Sequence, residues 1–437
     1  MTEPALGGET EIPAPDRIAA DYLRLALRLD QHLPGFVDGY FGPAAIKAQV
    51  DLEQLRPPQL LAVDARALRE QLAAERPAGA RSAWLTAQLV AIEANARALT
   101  EAPLGYTSSA YLDHVQACFD WLPQRRPAEL FATARAEVDR LLPGPGPTLT
   151  RLEAWDEALT IPAERLRPVI DWLFPILRER AAVLFGVPDG EAVAVGLVTG
   201  QPWSGYNWYD GRLRSRVDIN VDLPVRAPDL LGLLAHEAYP GHHLEHSWKE
   251  AQLVRVDRRV ECSVLLINTP ECLISEGLAD LGRRFATGPG DEQGLLVELL
   301  ERAGLARRGD RRTPADVAAT ATALHAPRRR LGEFAVNAAL RRHVDGADHA
   351  TVRTELEQVA LFAPERAEKR LAFIEHPLWR TYVFVYAEGE ALLGRWLDEV
   401  PEADRAVRFR RLLVEQLTPA TIVAEIDRPT PAQGLGA

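Results

Sequence analysis

The 437-residue chain is poor in cysteine, in lysine and in long apolar runs, and each shortage narrows what it can be. Its 3 cysteines, Cys118, Cys262 and Cys272, form an odd set without a C-x-x-C pair. That excludes a disulfide framework and a thiolate metal site, and makes a reducing cytoplasm the expected location. No uninterrupted apolar stretch approaches the roughly 18 to 20 residues of a membrane-spanning helix, so no membrane partner is expected. Residues 1–16 are acidic and rich in Pro and Gly; they lack the cationic start and apolar run of a secretory signal and read as a flexible tail. Positive charge is short as well. The 50 Lys and Arg residues against 62 Asp and Glu leave a formal charge of -12, a field that repels phosphate backbones and argues against nucleic acid. Apart from Lys47, Lys249 and Lys369, the basic residues are all arginine.

What is present fits a globular chain: 47% hydrophobic and 26% charged residues are enough for a sizeable core. Apolar positions recur at helical spacing in 17–29, with Asp16 placed as a cap, and helices are predicted over 59–72, 80–99 and 127–142. The run 143–147 alternates Pro and Gly and removes helix competence, so a boundary is expected between an N-terminal helical lobe, 17–142, and a second lobe, 149–430. In the second lobe 162–185 reads as helix. Residues 192–222 then change to small and β-branched side chains, with an Asp210-Gly211 turn between two strands. The second of these, 215–221, is a candidate free edge for pairing with a peptide, with Asn220 and Asp222 as substrate contacts. Trp203, Tyr206, Trp208 and Tyr209 are candidates to line an apolar pocket. Further helices are predicted over 260–285, 314–324, 331–343, 350–361 and 382–397. The expected fold is mainly α, with a small sheet beside one helix and a central cleft.

Four of the 10 histidines crowd into residues 236–246. Leu230, Leu231, Leu233 and Leu234 precede them, with Asp229 in position to cap, so His236 and Glu237 are expected on the last turns of a helix buried on one side. A His-Glu pair in this setting suits a zinc hydrolase, in which imidazoles hold the ion and the following Glu takes a proton from metal-activated water. The usual second His, four residues on, is replaced by Pro240. An unbroken helix would carry His243 about 10 Å along the axis, too far to share an ion with His236. Pro240 and Gly241 can break the helix and bring back His242, the preferred second ligand, or His243, the alternative. Glu276 is the candidate third ligand. Asp280, one turn on, is placed to accept the free N–H of a ligating histidine. For the oxyanion donor Tyr386 is preferred, with Tyr382 and His376 behind it.

At these residues the chain resembles a known bacterial family, domain of unknown function 885, whose members are regarded as zinc metallopeptidases. The family pattern H-E-x-x-P-G-H-H is complete from His236 to His243; its later E-G-W-A is present from Glu276 to Ala279 with Leu278 in place of the tryptophan. The resemblance implies a helical metallopeptidase fold similar to the thimet oligopeptidase and carboxypeptidase Taq families, with a channel for short peptides. The expectation is therefore a zinc-dependent hydrolase of short peptides with Glu237 as general base. The alternatives are a zinc hydrolase of a non-peptide amide or specialised metabolite, and a non-catalytic metal-binding scaffold. A di-iron site ranks last, because position 240, three after Glu237, is proline.

Overall fold

A computed structural model describes residues 12–75, 79–101, 107–201, 203–288, 291–305 and 312–428. Residues 1–11 of the expected tail lie outside the described residues. The chain is mainly helical with two small sheets. Asp16 caps the first helix, Arg17–Asp30, by accepting from the Ala19 amide. The other predicted N-terminal helices form as Pro58–Glu75, Ala80–Glu101 and Ala128–Leu141. The Pro-Gly run at 143–147 is a turn leading to the helix Thr148–Ala158, and the core passes across it without a break. Phe131, before the turn, packs edge-on against Phe334, with ring centroids 5.2 Å apart.

The strands are β1 (Val37–Tyr40), β2 (Ala192–Val198), β3 (Gly205–Gly211), β4 (Arg214–Asn220) and β5 (Val264–Leu266). β1 and β5 pair antiparallel, and the other three run in the order β2-β4-β3. β4 is therefore the central strand, parallel to β2 and antiparallel to β3, so neither of its edges is free for a peptide; β2 and β3 are the edge strands. The turn between β3 and β4 also sits two residues later than expected. Arg212 and Leu213 take the central positions at φ 56° and 60°, and Gly211, the last residue of β3, leads into them at φ 72°. Their strain is offset by a carboxylate: both amides donate to the buried Glu250, which also accepts from the Tyr209 hydroxyl at 2.6 Å. The predicted helix over 260–285 starts only at Pro270, because residues 260–263 form a tight 3-10 turn and β5 follows.

Three helices set the site. The motif helix, Ala227–Glu237, buries Leu230, Leu231 and Leu234 completely; Arg226 is its N-cap residue, and Asp229 sits in the first turn as favourable charge, not as the cap. The acid helix, Pro270–Ala286, starts with Pro in its first turn and is capped by Thr269. It crosses the tyrosine helix, Val385–Asp398, at backbone contact: a Cβ on Gly277 would lie 2.4 Å from the Gly389 carbonyl carbon, and one on Gly389 2.3 Å from the Leu273 oxygen. Neither neighbour is a side chain that can rotate away. Gly389→Ala is accordingly expected to cost about 3 kcal/mol through overpacking, read as a lower unfolding midpoint. The isolated Gly394→Ala, which meets nothing within 4 Å, should leave that midpoint unchanged or raise it.

Candidate metal centre

The motif helix ends at Glu237, and Ala238 leaves it at φ -124°, ψ -80°. Pro240, joined to Tyr239 by a cis peptide bond, cannot extend the ladder. Gly241 then folds back over the last turn. Its amide donates to the Ala235 carbonyl at 2.9 Å, and a Cβ there would stand 1.8 Å from the His236 oxygen, so only glycine fits. A second helix, His242–Trp248, starts at once. The outcome is that the His236 and His242 rings face one another at right angles, with centroids 4.7 Å apart.

Glu276, on the acid helix, closes the triangle. Its Oε2 lies 3.4 Å from His236 Nε2 and its Oε1 3.6 Å from His242 Nε2. Two ligands each about 2.1 Å from one tetrahedral ion stand about 3.4 Å apart, so these separations match a shared ion. Side-chain exposures of 17%, 12% and 10% leave the three groups reachable from the adjoining cavity. His236 donates its Nδ1 proton to Asp280 at 2.9 Å, which turns the lone pair of Nε2 toward Glu276. Glu276 Oε2 is buried and makes no hydrogen bond among the described residues. The ring nitrogen and the carboxylate oxygen thus face each other across a gap that either a proton or a metal cation can bridge.

Electrostatics agree. Burial alone would lower both histidines, but Asp280 and Glu276 raise His236 well above its usual value, and Glu276 and Glu245 raise His242. Burial would raise the Glu276 carboxyl; the two rings and the Tyr382 hydroxyl hold it below the ordinary range instead. The pocket demands positive charge, which a divalent ion on neutral imidazoles meets as well as protons do.

Around these groups lies a set of buried partners that sequence reading had not singled out. His242 Nδ1 is 3.3 Å from the Ser275 hydroxyl and 3.6 Å from Glu245 Oε2. Glu245 also accepts from Ser275 at 2.5 Å and from Lys249 at 2.7 Å, and Lys249 reaches Glu271 at 2.6 Å. His242, Glu245 and His246 come close enough to form a second cluster, but the Lys249 ammonium already neutralises Glu245. His246 stacks on His242, with centroids 5.7 Å apart, and burial pushes it down to about 3, so it stays neutral. Glu245 three residues after His242, and Lys249 four after Glu245, are helical spacings that could have marked this network.

His243, the alternative ligand, turns away from the site. It is fully buried, with Nε2 2.8 Å from Glu191 and Nδ1 2.8 Å from the Ser215 hydroxyl, and it fastens the second helix to β4. The helical turn explains this: adjacent residues diverge by about 100°, so His242 and His243 cannot both face the ion. Glu237 is buried beside the ligands, and burial raises its carboxyl above the ordinary range. Asn207 of β3 donates to the Glu237 carbonyl at 2.7 Å. Tyr386 lines the cavity with its ring centroid 6.4 Å from that of His236, while Tyr382 is engaged, donating to Glu276 Oε1 at 2.6 Å. His376 lies outside the cavity lining and accepts from the Leu378 amide.

The site cavity holds about 290 Å³ and is walled by Trp203 and Tyr206 as well as by the ligands. It shares His236, Glu237 and Tyr386 with a groove of about 1630 Å³. Trp208 instead donates to Asp218, and Tyr209 packs beneath the sheet. Asn220 donates to the Gln201 and Trp203 carbonyls and Asp222 accepts from Gly200, so both are engaged in holding the chain ahead of β3, and Asn220 also lines the groove.

No protein-family model matches the chain, and no curated protein matches it. A solved structure of a protein of unknown function from Shewanella oneidensis, described as a candidate lipoprotein, is similar with a TM-score of 0.48 at 12% identity, over 92% of this chain and 82% of that one. No helix among the described residues is long and apolar enough to cross a membrane.

The geometry separates the two neighbouring histidines experimentally. The unmodified chain is expected to retain one zinc equivalent after dialysis, and His242→Gln and His236→Gln are each expected to lose it. His243→Gln should keep the metal and lower the unfolding midpoint, because it disturbs Glu191 and Ser215 in a buried setting. Asp280→Asn should weaken zinc by about 10- to 100-fold in a chelator competition.

Proposed function

We propose that this chain is a zinc-dependent hydrolase cleaving amide bonds of short peptides, related to the metallopeptidases that its 236–244 and 275–279 segments resemble. The observation that carries the reading is the convergence of His236, His242 and Glu276 beside Glu237, where the small cavity meets the groove. Among the described residues three protein groups converge, and their access to the cavity favours catalysis over a closed structural ion. The buried free thiols of Cys118, Cys262 and Cys272 support a cytoplasmic setting.

When bound by these three ligands, zinc supplies Lewis-acid polarisation of the scissile carbonyl and lowers the pKa of water. The remaining chemistry belongs to side chains. Glu237, its carboxyl held above the usual range by burial, is suited to accept a proton from the attacking water and return it to the leaving amine nitrogen. Tyr386, at the cavity wall, is the donor for charge developing on the carbonyl oxygen. Tyr382 acts through Glu276 by holding its carboxylate. Asn207, on edge strand β3, has a buried Oδ1 without a donor among the described residues, an acceptor for a substrate N–H.

Glu237→Gln is expected to keep one zinc while losing at least about a hundredfold in peptide hydrolysis, followed by mass spectrometry on a short-peptide mixture with and without chelator. Full activity in that variant would reject the mechanism. Tyr386→Phe should reduce kcat by about ten- to a thousandfold and leave zinc content unchanged, the signature of a donor used at the transition state.

A further inference from the structure

The groove beside the site has an uneven distribution of charge. Several of its cations are already matched: Arg283 bonds Glu292 at 2.5 Å, Arg284 bonds Asp398 at 2.7 Å, Arg226 pairs with Asp156 and Asp229, and Arg329 pairs with Glu390. Arg366, Lys369 and Arg370 are different. They lie at i, i+3 and i+4 on the helix Pro364–Glu375, hence on one face, and all three line the groove. Among the described residues none of them has a carboxylate partner within ion-pair distance. The two guanidinium groups rest on aromatic faces instead, Arg366 at 4.3 Å from the Phe362 ring centre and Arg370 at 5.8 Å from that of Phe373.

This wall adjoins the chemistry. Arg370 is within electrostatic reach of the Tyr386 hydroxyl, and Tyr386 belongs to both the groove and the metal cavity. Burial in the groove wall, together with the charges of Arg370, Arg226 and Arg328, pulls Arg366 down to about 10, so this wall gathers positive charge although the chain as a whole carries -12. The groove also contains acids without an ion pair among the described residues: Glu365 on the same helix, and Glu153 and Glu157 on Thr148–Ala158. The three cations at 366, 369 and 370 differ from these acids in standing together on one face of one helix. Two planar guanidinium forks and an ammonium match a carboxylate in shape and charge.

We propose that Arg366, Lys369 and Arg370 form a carboxylate-binding subsite, which anchors the anionic end of a short peptide while its scissile amide lies over the metal ligands. The substrate class becomes peptides carrying a carboxylate to one side of the cleaved bond, either the C-terminal group or an Asp or Glu side chain. This rests on the peptidase reading, and binding can be measured apart from turnover.

The test uses the zinc-loaded full chain with Glu237→Gln to prevent cleavage. Three N-acetylated tetrapeptides are titrated by calorimetry: one with uncharged side chains and a free C-terminus, its C-terminal amide, and the same amide with one Glu introduced. At least one carboxylate-bearing peptide is expected to bind about tenfold or more tightly than the neutral amide. Preference for the free terminus identifies the terminal carboxylate as the ligand, and preference for the Glu amide identifies the side chain. Adding Arg366→Gln, Lys369→Gln and Arg370→Gln together should abolish the gap. The single Arg366→Gln and Arg370→Gln variants, at a solvent-lined wall, should each narrow it without moving the unfolding midpoint. Equal affinity for all three peptides, binding of none, or a gap that survives the triple variant overturns the subsite. Carboxylate-selective binding without hydrolysis when Glu237 is intact would leave the subsite standing and reject only the peptidase reading.

Discussion

The arrangement depends on one close approach, that of Gly241 to the His236 carbonyl. A helix that continued past Glu237 would carry the next histidines up its axis, away from His236. Instead the chain leaves the helix at Ala238, and Gly241 returns its amide to Ala235 while Leu244 returns its own to Ala238 at 3.2 Å. The last turn of one helix therefore bonds to the start of the next, and the orphan carbonyls of the first are satisfied within the break. Because a side chain at 241 would collide with backbone, the contact fixes the angle between the two helices as well as their distance. The crossing of Gly277 with Gly389 does the same for the other half of the site, bringing Glu276 and the tyrosine helix together.

Rigid mounting is needed because the site concentrates charge of one sign. Glu237, Glu276, Asp280 and Glu245 surround two imidazoles, and without compensation that cluster would be costly to bury. Compensation comes in layers. Lys249 sits between Glu245 and Glu271; its charge outweighs the upward push of burial on the Glu245 carboxyl and keeps it ionised. Asp280 accepts a hydrogen bond from His236 Nδ1–H, and Tyr382 donates its hydroxyl to Glu276 Oε1. The other oxygen of Glu276 and the two Nε2 atoms are left facing each other, so the uncompensated part of the charge lies where an ion fits. Buried pairs of this kind contribute little net stability but fix one arrangement of side chains over others.

Much of this could be read from residue order, and the failures have identifiable causes. Helices with strong apolar periodicity appear within a few residues of their expected ends, because their burial is encoded every third or fourth position. The choice of His236, Glu237 and Glu276 followed from chemistry plus the need for a break at Pro240, and their geometry converges as that reasoning requires. The choice between His242 and His243 was not legible, since it turns on the exit angle of a backbone that only Gly241 and its neighbours determine. β1 and β5 escaped notice because four and three residues are too short to display a period. The order of the larger sheet was hidden for another reason. β2 reaches β4 by a connection in space, and nothing in the 192–198 segment says which edge it will take. The turn at Arg212 and Leu213 was misplaced because Glu250, 37 residues beyond Leu213, supplies the acceptor that lets two non-glycine residues adopt left-handed backbone. Long-range partners of this sort leave no local mark.

The balance between global and local charge carries the functional argument furthest. An excess of 12 acidic groups over the whole chain would discourage anionic ligands if only net charge mattered. At physiological salt, though, exposed charges are screened over about 8 Å, so an approaching ligand responds mainly to the wall it touches. Inside a groove the low-dielectric sides narrow the field further and strengthen it. Arg366, Lys369 and Arg370 stand on such a wall without carboxylate partners among the described residues, next to a cavity whose own charged side chains are mostly acidic and suited to a cation. A peptide bearing a carboxylate would thus meet a positive surface a short way from the metal ligands. The same molecule lying the other way round would leave Arg366, Lys369 and Arg370 without an anionic partner. A local charge of this kind orients a ligand even when it adds little to its affinity, because the reversed pose forgoes the pairing.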